Sequence, residues 1–325
     1  MILVQLALLL LAAVPLCGIG LAIFSGWTAR RVEKALPPSG KFVQVEGARI
    51  HYWEKGSGPA IVLVHGLGGQ SLNFSFGVAD QLSRDFRVLA IDRPGSGYST
   101  READELGRLS AQSALVAKFI AAMGLERPLL VGHSLGGAIS LGVALNFPEA
   151  VSGLALVAPL THVLRHPPGV FRPLEIESPF VRRLVAWTLA TPMGIRRGPD
   201  TLRRIFAPER VPQDFPVRGG GLLGLRPRAF YNVSTDLMGV TADLFAMVQR
   251  YGELRLPVGI LYGTNDQVLN HGDHGEAMRG KAADLRLKLV EGGHMLPVTQ
   301  PELTAEFICE EARRAGLTTE RKMEA

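Results

Sequence analysis

Short apolar runs alternate with helical patterns along most of the chain. Residues 42–45 and 49–54 alternate apolar and polar side chains, which predicts two antiparallel strands joined at Gly47. Residues 60–64 form a continuous apolar run, which predicts a strand that is buried on both faces. Five later runs are typical of further short strands: residues 87–91, 129–131, 154–157, 258–262 and 285–290.

Helical patterns separate most of these strands. Residues 110–123 carry Leu115, Phe119 and Met123 at the spacing of one helix face. A hairpin followed by alternating strands and helices predicts an α/β fold, with a mostly parallel sheet flanked by helices. The alternation stops in residues 160–255, which are rich in Pro, Gly, Arg and aromatic residues. We interpret this segment as a helical lid inserted above the sheet.

The first 29 residues contain no charged side chain, and residues 2–27 are almost entirely apolar or small. At 1.5 Å per residue this is enough helix to cross a hydrocarbon core of about 30 Å. Trp27 lies at the expected interface, before Arg30, Arg31 and Lys34. A cleaved signal peptide would open with positive charge, and the bulky Leu16 disfavours lipid modification of Cys17. We therefore predict a single-pass transmembrane anchor, with the following domain on the cytoplasmic side because the positive charge lies there.

Composition limits the chemistry. The chain has 325 residues, 47% of them hydrophobic, and only two cysteines, Cys17 and Cys309. Neither cysteine has the spacing of a metal site, and a disulfide framework is not expected. The G-x-G-x-x-G pattern at residues 219–224 follows no predicted strand, so we expect no dinucleotide site. Nothing resembles a nucleic-acid-binding module.

Positive charge is concentrated in the predicted lid. Residues 160–250 contain 13 Arg, no Lys and 7 Asp or Glu, whereas the rest of the chain holds 22 basic and 23 acidic residues. The pairs Arg182-Arg183, Arg196-Arg197 and Arg203-Arg204 alternate with apolar residues, a pattern that can present guanidinium groups to anionic lipid. The alternative is a lid that packs its apolar side on the sheet and leaves these arginines in water.

The pentapeptide Gly132-His133-Ser134-Leu135-Gly136 lies between a predicted strand and a predicted helix. A G-x-S-x-G segment in that position makes a tight turn that exposes the serine hydroxyl, and the next helix aims its first amides at the same place. Ser134 is therefore a candidate nucleophile. The alternative is an ordinary glycine-rich turn with an incidental serine.

A serine hydroxyl needs a base to take its proton and a carboxylate to orient that base. His294 follows the last predicted strand in a glycine-flanked loop, and Asp266 follows the strand before it. Asp266 could instead cap the next helix, and His294 could be an ordinary loop histidine. His65 is expected to be structural. His271 and His274 are expected to be solvated rather than metal ligands.

Four segments in this order resemble the α/β-hydrolase family: His65-Gly66-Leu67-Gly68, residues 92–99 (Asp-Arg-Pro-Gly-Ser-Gly-Tyr-Ser), the Ser134 turn, and the paired Asp266 and His294 segments. The resemblance covers about residues 42–311. It implies that the backbone amides of Leu67 and Leu135 form an oxyanion hole. Asp92 and Arg93 are expected to brace their loop.

The predicted organisation is an anchor at residues 1–29, a linker at 30–41, a hydrolase core at 42–159 and 256–325, and the lid at 160–255. The predicted function is a serine hydrolase with the triad Ser134, Asp266 and His294, requiring no cofactor or metal. Its substrate is expected to be a small-molecule or lipid ester, and its partners the membrane but not nucleic acid. A C–C bond, a thioester or a small amide is an alternative target for the same triad. A ligand-binding receptor with residual hydrolysis is the alternative from another class.

Overall fold

The computed structural model describes residues 2–164 and 168–317. Met1 of the predicted anchor, residues 165–167 of the predicted lid and residues 318–325 of the predicted core lie outside the described residues. Within the described residues, nine strands form one sheet: β1 (Lys41–Val45), β2 (Ala48–Lys55), β3 (Ala60–Val64), β4 (Arg87–Ile91), β5 (Thr100–Arg101), β6 (Leu129–His133), β7 (Gly153–Val157), β8 (Val258–Gly263) and β9 (Leu285–Val290).

The sheet order is β1-β2-β4-β3-β6-β7-β8-β9, with β5 paired to β2. The pairs β1–β2 and β2–β4 are antiparallel, and every pair from β4 to β9 is parallel. This confirms the predicted α/β fold with a mostly parallel sheet. The two-residue β5 was not predicted, because two residues carry too short a pattern to detect.

In the part of the chain that the structure describes, eleven α-helices surround or precede this sheet: α1 (Ile2–Ala35), α2 (Val78–Leu82), α3 (Leu109–Ala122), α4 (Leu135–Asn146), α5 (Pro179–Val185), α6 (Thr191–Phe206), α7 (Phe215–Arg218), α8 (Pro227–Val248), α9 (His271–His274), α10 (Leu296–Thr299) and α11 (Pro301–Arg314). A π-helical turn, Ala186–Ala190, joins α5 to α6.

Both faces of the sheet are covered, because successive side chains of a strand point to opposite faces. In β3, Val62 and Val64 join a core that includes residues of α3, α4 and α8, whereas Ile61 and Leu63 join a core that includes residues of α2 and α11. The continuous apolar run of β3 is thus the pattern of a strand with helices on each side. Because they run parallel to one another, β3, β6, β8 and β9 place their carboxyl ends along one edge of the sheet.

The segment between β7 and β8 carries α5 to α8, and we call its residues 160–164 and 168–255 the lid. Its last helix, α8, also packs into the main core through Val240, Leu244 and Met247. Helix α1 continues to Ala35, beyond the predicted anchor boundary, and contacts the π-turn and the short helical segment Gly221–Leu225 of the lid. Within the described residues, Ala13–Ala35 is the one helix long and apolar enough to cross a membrane.

Candidate active site

Ser134 lies at the sharp turn between β6 and α4. Its backbone has φ 54° and ψ −119°, a conformation that a residue with a side chain rarely adopts. The turn also needs a close approach between chains, since a Cβ at Gly136 would lie 2.2 Å from the carbonyl oxygen of Val64. Leu135 is the first residue of α4, where amides have no partner within the helix. The turn therefore exposes the serine beside free amide donors.

Asp266 and His294 form a buried pair after β8 and β9. His294 Nδ1 lies 2.7 Å from Asp266 Oδ2, and the two residues are 3% and 8% exposed. The other carboxylate oxygen, Oδ1, accepts hydrogen bonds from the amides of Val268 and Leu269 at 2.8 and 2.9 Å. Burial alone would raise the pKa of Asp266, but His294 and these two amides lower it below its usual value. The carboxylate is thus ionised and fixed toward the imidazole.

His133 connects the serine turn to the loop of His294. Its Nε2 lies 3.0 Å from the carbonyl oxygen of His294, and the two imidazole centroids are 5.0 Å apart. Burial, together with the nearby His294, lowers the pKa of His133 to about 3, so its ring is neutral and Nε2–H can donate. Among the described residues no hydrogen bond joins Ser134 Oγ to His294. Such contacts are often long before substrate binds.

The loop after β3 lies directly against Ser134. A Cβ at Gly66 would lie 2.9 Å from Ser134 Cβ and 3.3 Å from Oγ, so glycine permits this approach. His65 holds the loop, because its Nε2 accepts from the amide of Arg93 at 2.9 Å. Its Nδ1 therefore carries the proton and donates to the carbonyl oxygen of Gly66 at 2.8 Å. Burial lowers the pKa of His65 to about 3, which agrees with a neutral ring.

Asp92 occupies the centre of the loop after β4. Its Oδ1 accepts from the amide of Ser71, and its Oδ2 contacts both the amide of Tyr98 and His51 Nδ1, each at 2.8 Å. These contacts hold three segments of the chain together.

Two lid contacts with loops at the candidate site were missed from the sequence. Asp236 of α8 pairs with the fully buried Arg93, and Glu209 Oε1 accepts from the amide of Gly293 at 2.9 Å. Both join residues far apart in the chain. No local pattern marks either acid as different from its neighbours.

Ser134 lines one of two neighbouring cavities. One, of about 410 Å³, is lined by Ser134, Leu135 and apolar side chains that include Leu160 and Leu244. The other, of about 440 Å³, extends under the lid to Leu189 and Met193. Both cavities are bounded by Leu67 and Phe171. The cavity that contains Ser134 is therefore mostly apolar, with Glu175 and Glu177 also in its lining, and it is large enough for an organic ligand.

The lid arginines divide into buried and exposed groups. Arg182 is buried and donates to Ser234 Oγ, Thr235 Oγ1 and the carbonyl of Ile176, so it does not face solvent as the sequence pattern predicted. The contact between Arg182 and α8 cannot be predicted from the spacing of residues in the sequence alone. Arg183, Arg196, Arg197, Arg203 and Arg204 are exposed.

His274 is also buried, contrary to its predicted solvation. Its Nδ1 lies 3.3 Å from the amide nitrogens of both Thr161 and His162, which it can accept from. This histidine fixes the chain that leaves β7, because it is the acceptor for two consecutive amides. His271 is the first residue of the same short helix, α9.

Comparisons with known proteins agree with this fold. A family profile described as the alpha/beta hydrolase fold matches residues 59–301. A curated putative carbamate hydrolase of Rhizobium rhizogenes is 26% identical, over 78% of this chain and 92% of its own length. The acetyltransferase component of the acetoin cleaving system of Cupriavidus necator is 38% identical over 37% of this chain, which spans 32% of that relative. The chain thus matches about a third of the length of the first curated relatives.

Solved structures match over more of the chain. The crystal structure of a membrane phospholipase A, described as a novel bacterial virulence factor, is 25% identical with a TM-score of 0.66, covering 98% of this chain and 99% of its own. An alpha/beta hydrolase fold protein from Burkholderia ambifaria is 23% identical with a TM-score of 0.72, covering 85% of this chain and 98% of its own. The second likeness is one of fold.

Proposed function

Because the chain belongs to the alpha/beta hydrolase family, and is a hydrolase of that fold, we propose that it is a serine hydrolase that cleaves carboxylic esters. Ser134 is the nucleophile, His294 the general base and Asp266 the residue that orients the imidazole. The observation that carries the proposal is the buried 2.7 Å contact between His294 Nδ1 and Asp266 Oδ2, in the loop that His133 ties to the serine turn.

That contact determines which nitrogen of His294 carries the proton. Asp266 is an acceptor, so Nδ1 carries the proton and Nε2 is left free as the base. Nε2 takes the proton of Ser134 as Oγ attacks the ester carbonyl, and then gives it to the departing alcohol. Water then loses a proton to Nε2 and attacks the acyl carbon. Nε2 returns that proton to Ser134 Oγ as the bond to the acyl carbon breaks, which releases the acid and restores the serine hydroxyl.

The negative charge that develops on the carbonyl oxygen requires amide donors. In the proposal these are the backbone N–H groups of Leu67 and Leu135. Two observations support this: Leu135 opens α4, and the Gly66–Leu67 peptide lies against Ser134. The loss of one such donor typically lowers kcat by about 10²–10³-fold.

Ser134→Ala tests the nucleophile. We expect hydrolysis of p-nitrophenyl esters and labelling by a fluorophosphonate probe to be lost, while thermal unfolding is unchanged because one hydroxyl adds little packing. Ser140→Ala is a matched control, since Ser140 lies on α4 and bonds only to the carbonyl of Gly136. Full esterase activity in Ser134→Ala contradicts the proposal, and thioesters, amides and diketones in the same screen identify another bond.

We further propose that the substrate is a lipid ester and that α1 holds the enzyme at a membrane. Seven large apolar side chains of α5, the π-turn and α6 are more than a third exposed: Phe180, Val181, Leu184, Trp187, Leu189, Met193 and Ile195. Leu189 and Met193 also line the larger cavity, so that cavity opens on this apolar face. The Trp187 ring lies against Gly26 of α1, which places the face beside the candidate membrane span.

Charge supports the same arrangement. The exposed lid arginines would lie near anionic headgroups, where each basic residue contributes about 1 kcal/mol of attraction. The similarity to a membrane phospholipase A over 98% of this chain also favours a lipid substrate. In this proposal residues 1–29 are the anchor, 30–41 the linker and 160–255 the lid on a core of residues 42–159 and 256–325.

Vesicles of defined composition test the lipid proposal. The rate of hydrolysis of a lipid ester should rise when anionic vesicles are added and should fall back to its original value when salt is added. The rate on a soluble ester should change little. Changing Arg196, Arg197, Arg203 and Arg204 together to Gln should weaken the vesicle effect alone. Equal rates on neutral and anionic vesicles contradict the role of the arginines.

Cell fractionation tests the anchor. The full chain should stay with membranes after carbonate and high-salt washes, and release by either wash contradicts a spanning helix. We propose that the catalytic domain lies on the cytoplasmic side, because Arg30, Arg31 and Lys34 follow the apolar segment. The test is a C-terminal fusion to a reporter that works only outside the cytoplasm. Activity of that reporter would contradict the proposed orientation.

A further inference from the structure

A buried arginine lies behind the amide that the proposed mechanism uses for the oxyanion. We propose that Arg93 is a positioning residue that orients and polarises the Gly66–Leu67 peptide, and that Asp236 of the lid holds Arg93 in place. This inference rests on the proposed function, since it concerns the Leu67 amide of the same site.

The Gly66–Leu67 peptide bond couples the orientation of a carbonyl group to that of an amide. The carbonyl oxygen of Gly66 and the N–H of Leu67 belong to one planar trans peptide group, in which they point in opposite directions. Fixing the direction of the carbonyl therefore fixes the direction of the amide. Since Gly66 packs on Ser134 and glycine adds no side chain to restrain the backbone, the orientation of this peptide must come from its partners.

Three donors converge on the Gly66 oxygen. His65 Nδ1 lies at 2.8 Å, Arg93 Nη2 at 3.2 Å and the amide nitrogen of Gly69 at 3.2 Å. Of these, Arg93 is the one that is charged. A cation on the carbonyl end draws electron density from the peptide, which makes the Leu67 N–H a stronger donor through cooperative polarisation.

Arg93 is itself held by two other segments, α8 and α3. Its Nη1 donates to Asp236 Oδ2 at 2.9 Å and to the side-chain oxygen of Gln112. Arg101 also contacts Asp236, and all three ionised side chains are nearly inaccessible to solvent. The cluster has two positive charges and one negative charge, so it carries a net buried charge of +1 close to the place where an oxyanion would form.

Because of this charge balance, Arg93 can be replaced by a neutral residue without leaving a buried ion unpaired. Arg93→Met leaves Asp236 paired with Arg101, so the change exchanges a cluster of charge +1 for a neutral buried pair and orphans no ion. Asp236→Asn is the less suitable variant, because it would leave two buried guanidinium groups without their anion. Arg93→Lys keeps the charge but loses the planar fork that reaches Gly66 and Asp236 together.

The experiment compares Arg93→Met and Arg93→Lys with Arg108→Met in the purified full chain. Arg108 is the matched control, because it also links the core to α8, through Asp243 at 2.9 Å, but lies on the surface. Three quantities are measured per fluorophosphonate-titrated site: kcat, KM for p-nitrophenyl butyrate, and the inhibition constant of a trifluoromethyl ketone, whose serine adduct places an oxyanion in the hole.

We expect Arg93→Met to lower kcat and to weaken binding of the ketone by a similar factor, about 10- to 100-fold. This is less than the loss expected when an oxyanion donor itself is removed. KM should stay within about twofold, because the ground-state ester carries little charge. For Arg93→Lys, kcat and the affinity for the ketone should lie between those of Arg93→Met and the wild type. If Arg93→Met fails to fold, the comparison of Arg93→Lys with the wild type is the test. Arg108→Met should leave all three quantities unchanged.

A purely structural role predicts a lower melting temperature with unchanged kcat and ketone affinity per titrated site, and that result overturns the inference. A rise in KM at constant kcat overturns it as well. Failure of the proposed function looks different, because Ser134→Ala would then keep its activity whatever the Arg93 variants do.

Discussion

The contact between α1 and the lid makes a quantitative prediction about lid stability. Val32 is 6% exposed near the carboxyl end of α1, and the neighbouring Glu33 bonds to the buried Arg226 of the lid at 3.2 Å. The perturbation is Val32→Ala in the full-length protein. It removes two carbon atoms from a buried site, which costs about 1.6 kcal/mol at about 0.8 kcal/mol per group.

That cost should appear in the docking of α1 on the lid rather than in the sheet. A change of about 1.6 kcal/mol corresponds to roughly a 15-fold shift of the docking equilibrium. Glu33→Ala should have a smaller effect, less than about 1 kcal/mol, because Glu33 is 44% exposed and solvent screens the pair. Lys34→Ala is the control, since Lys34 is the next residue on the helix and is exposed.

Hydrogen exchange of the purified protein in nanodiscs measures the effect. Amides of α6 and of the segment Gly221–Leu225 should exchange faster in Val32→Ala, by up to the 15-fold shift, while those of β3 and β6 stay protected. Exchange in α6 equal to that of Lys34→Ala would refute the reasoning. Equal acceleration in β3 would also refute it, because the helix would then stabilise the whole domain.

Three further predictions concern the catalytic loops and the core. Asp266→Asn should lower kcat by about 10⁴-fold, the loss that this change causes in a serine protease, because it favours the wrong imidazole tautomer; a loss below tenfold would show that another group orients His294. Glu209→Ala should lower kcat roughly tenfold while Glu209→Gln keeps the acceptor for Gly293 and most of the rate; equal rates in the two variants would contradict a role for that bond. Stability should fall as the pH drops below about 6.5, because the unfolded chain protonates His65 and His133 at their ordinary pKa whereas burial lowers the folded pKa of each to about 3. Each contributes up to about 1.4 kcal/mol per pH unit, so a urea midpoint that is the same at pH 7 and pH 5 would contradict this assignment.

The regular elements were predictable because their signals are local. The apolar run of β3 was predicted with the bounds that the structure has, Ala60–Val64, since burial on both faces needs an unbroken run. Helix α3 begins and ends within one residue of the predicted 110–123. The family resemblance rested on short motifs at strand ends, and the match to residues 59–301 confirms it.

The lid was harder to predict, because its contacts join distant residues. Arg182 and Arg183 are adjacent in the chain, yet Arg182 is buried against α8 and Arg183 is exposed. Which of the two arginines is buried depends on which face of α5 packs against α8. The charge pattern of the sequence does not specify that face. The pairing of Arg93 with Asp236 likewise depends on the final position of α8. The roles given to the triad and to the Leu67 and Leu135 amides remain predictions for mutagenesis.

The distribution of the candidate site over the ends of β3, β6, β8 and β9 has a consequence for folding kinetics. No hairpin or single helix contains two of Leu67, Ser134, Asp266 and His294, and parallel pairing requires long loops to close before contacts form. A refolding intermediate that had assembled β3, β4 and β6 alone would hold the serine without its base. Recovery of activity after dilution from urea should therefore follow the slowest tertiary phase, and lag behind the return of the far-UV circular dichroism signal.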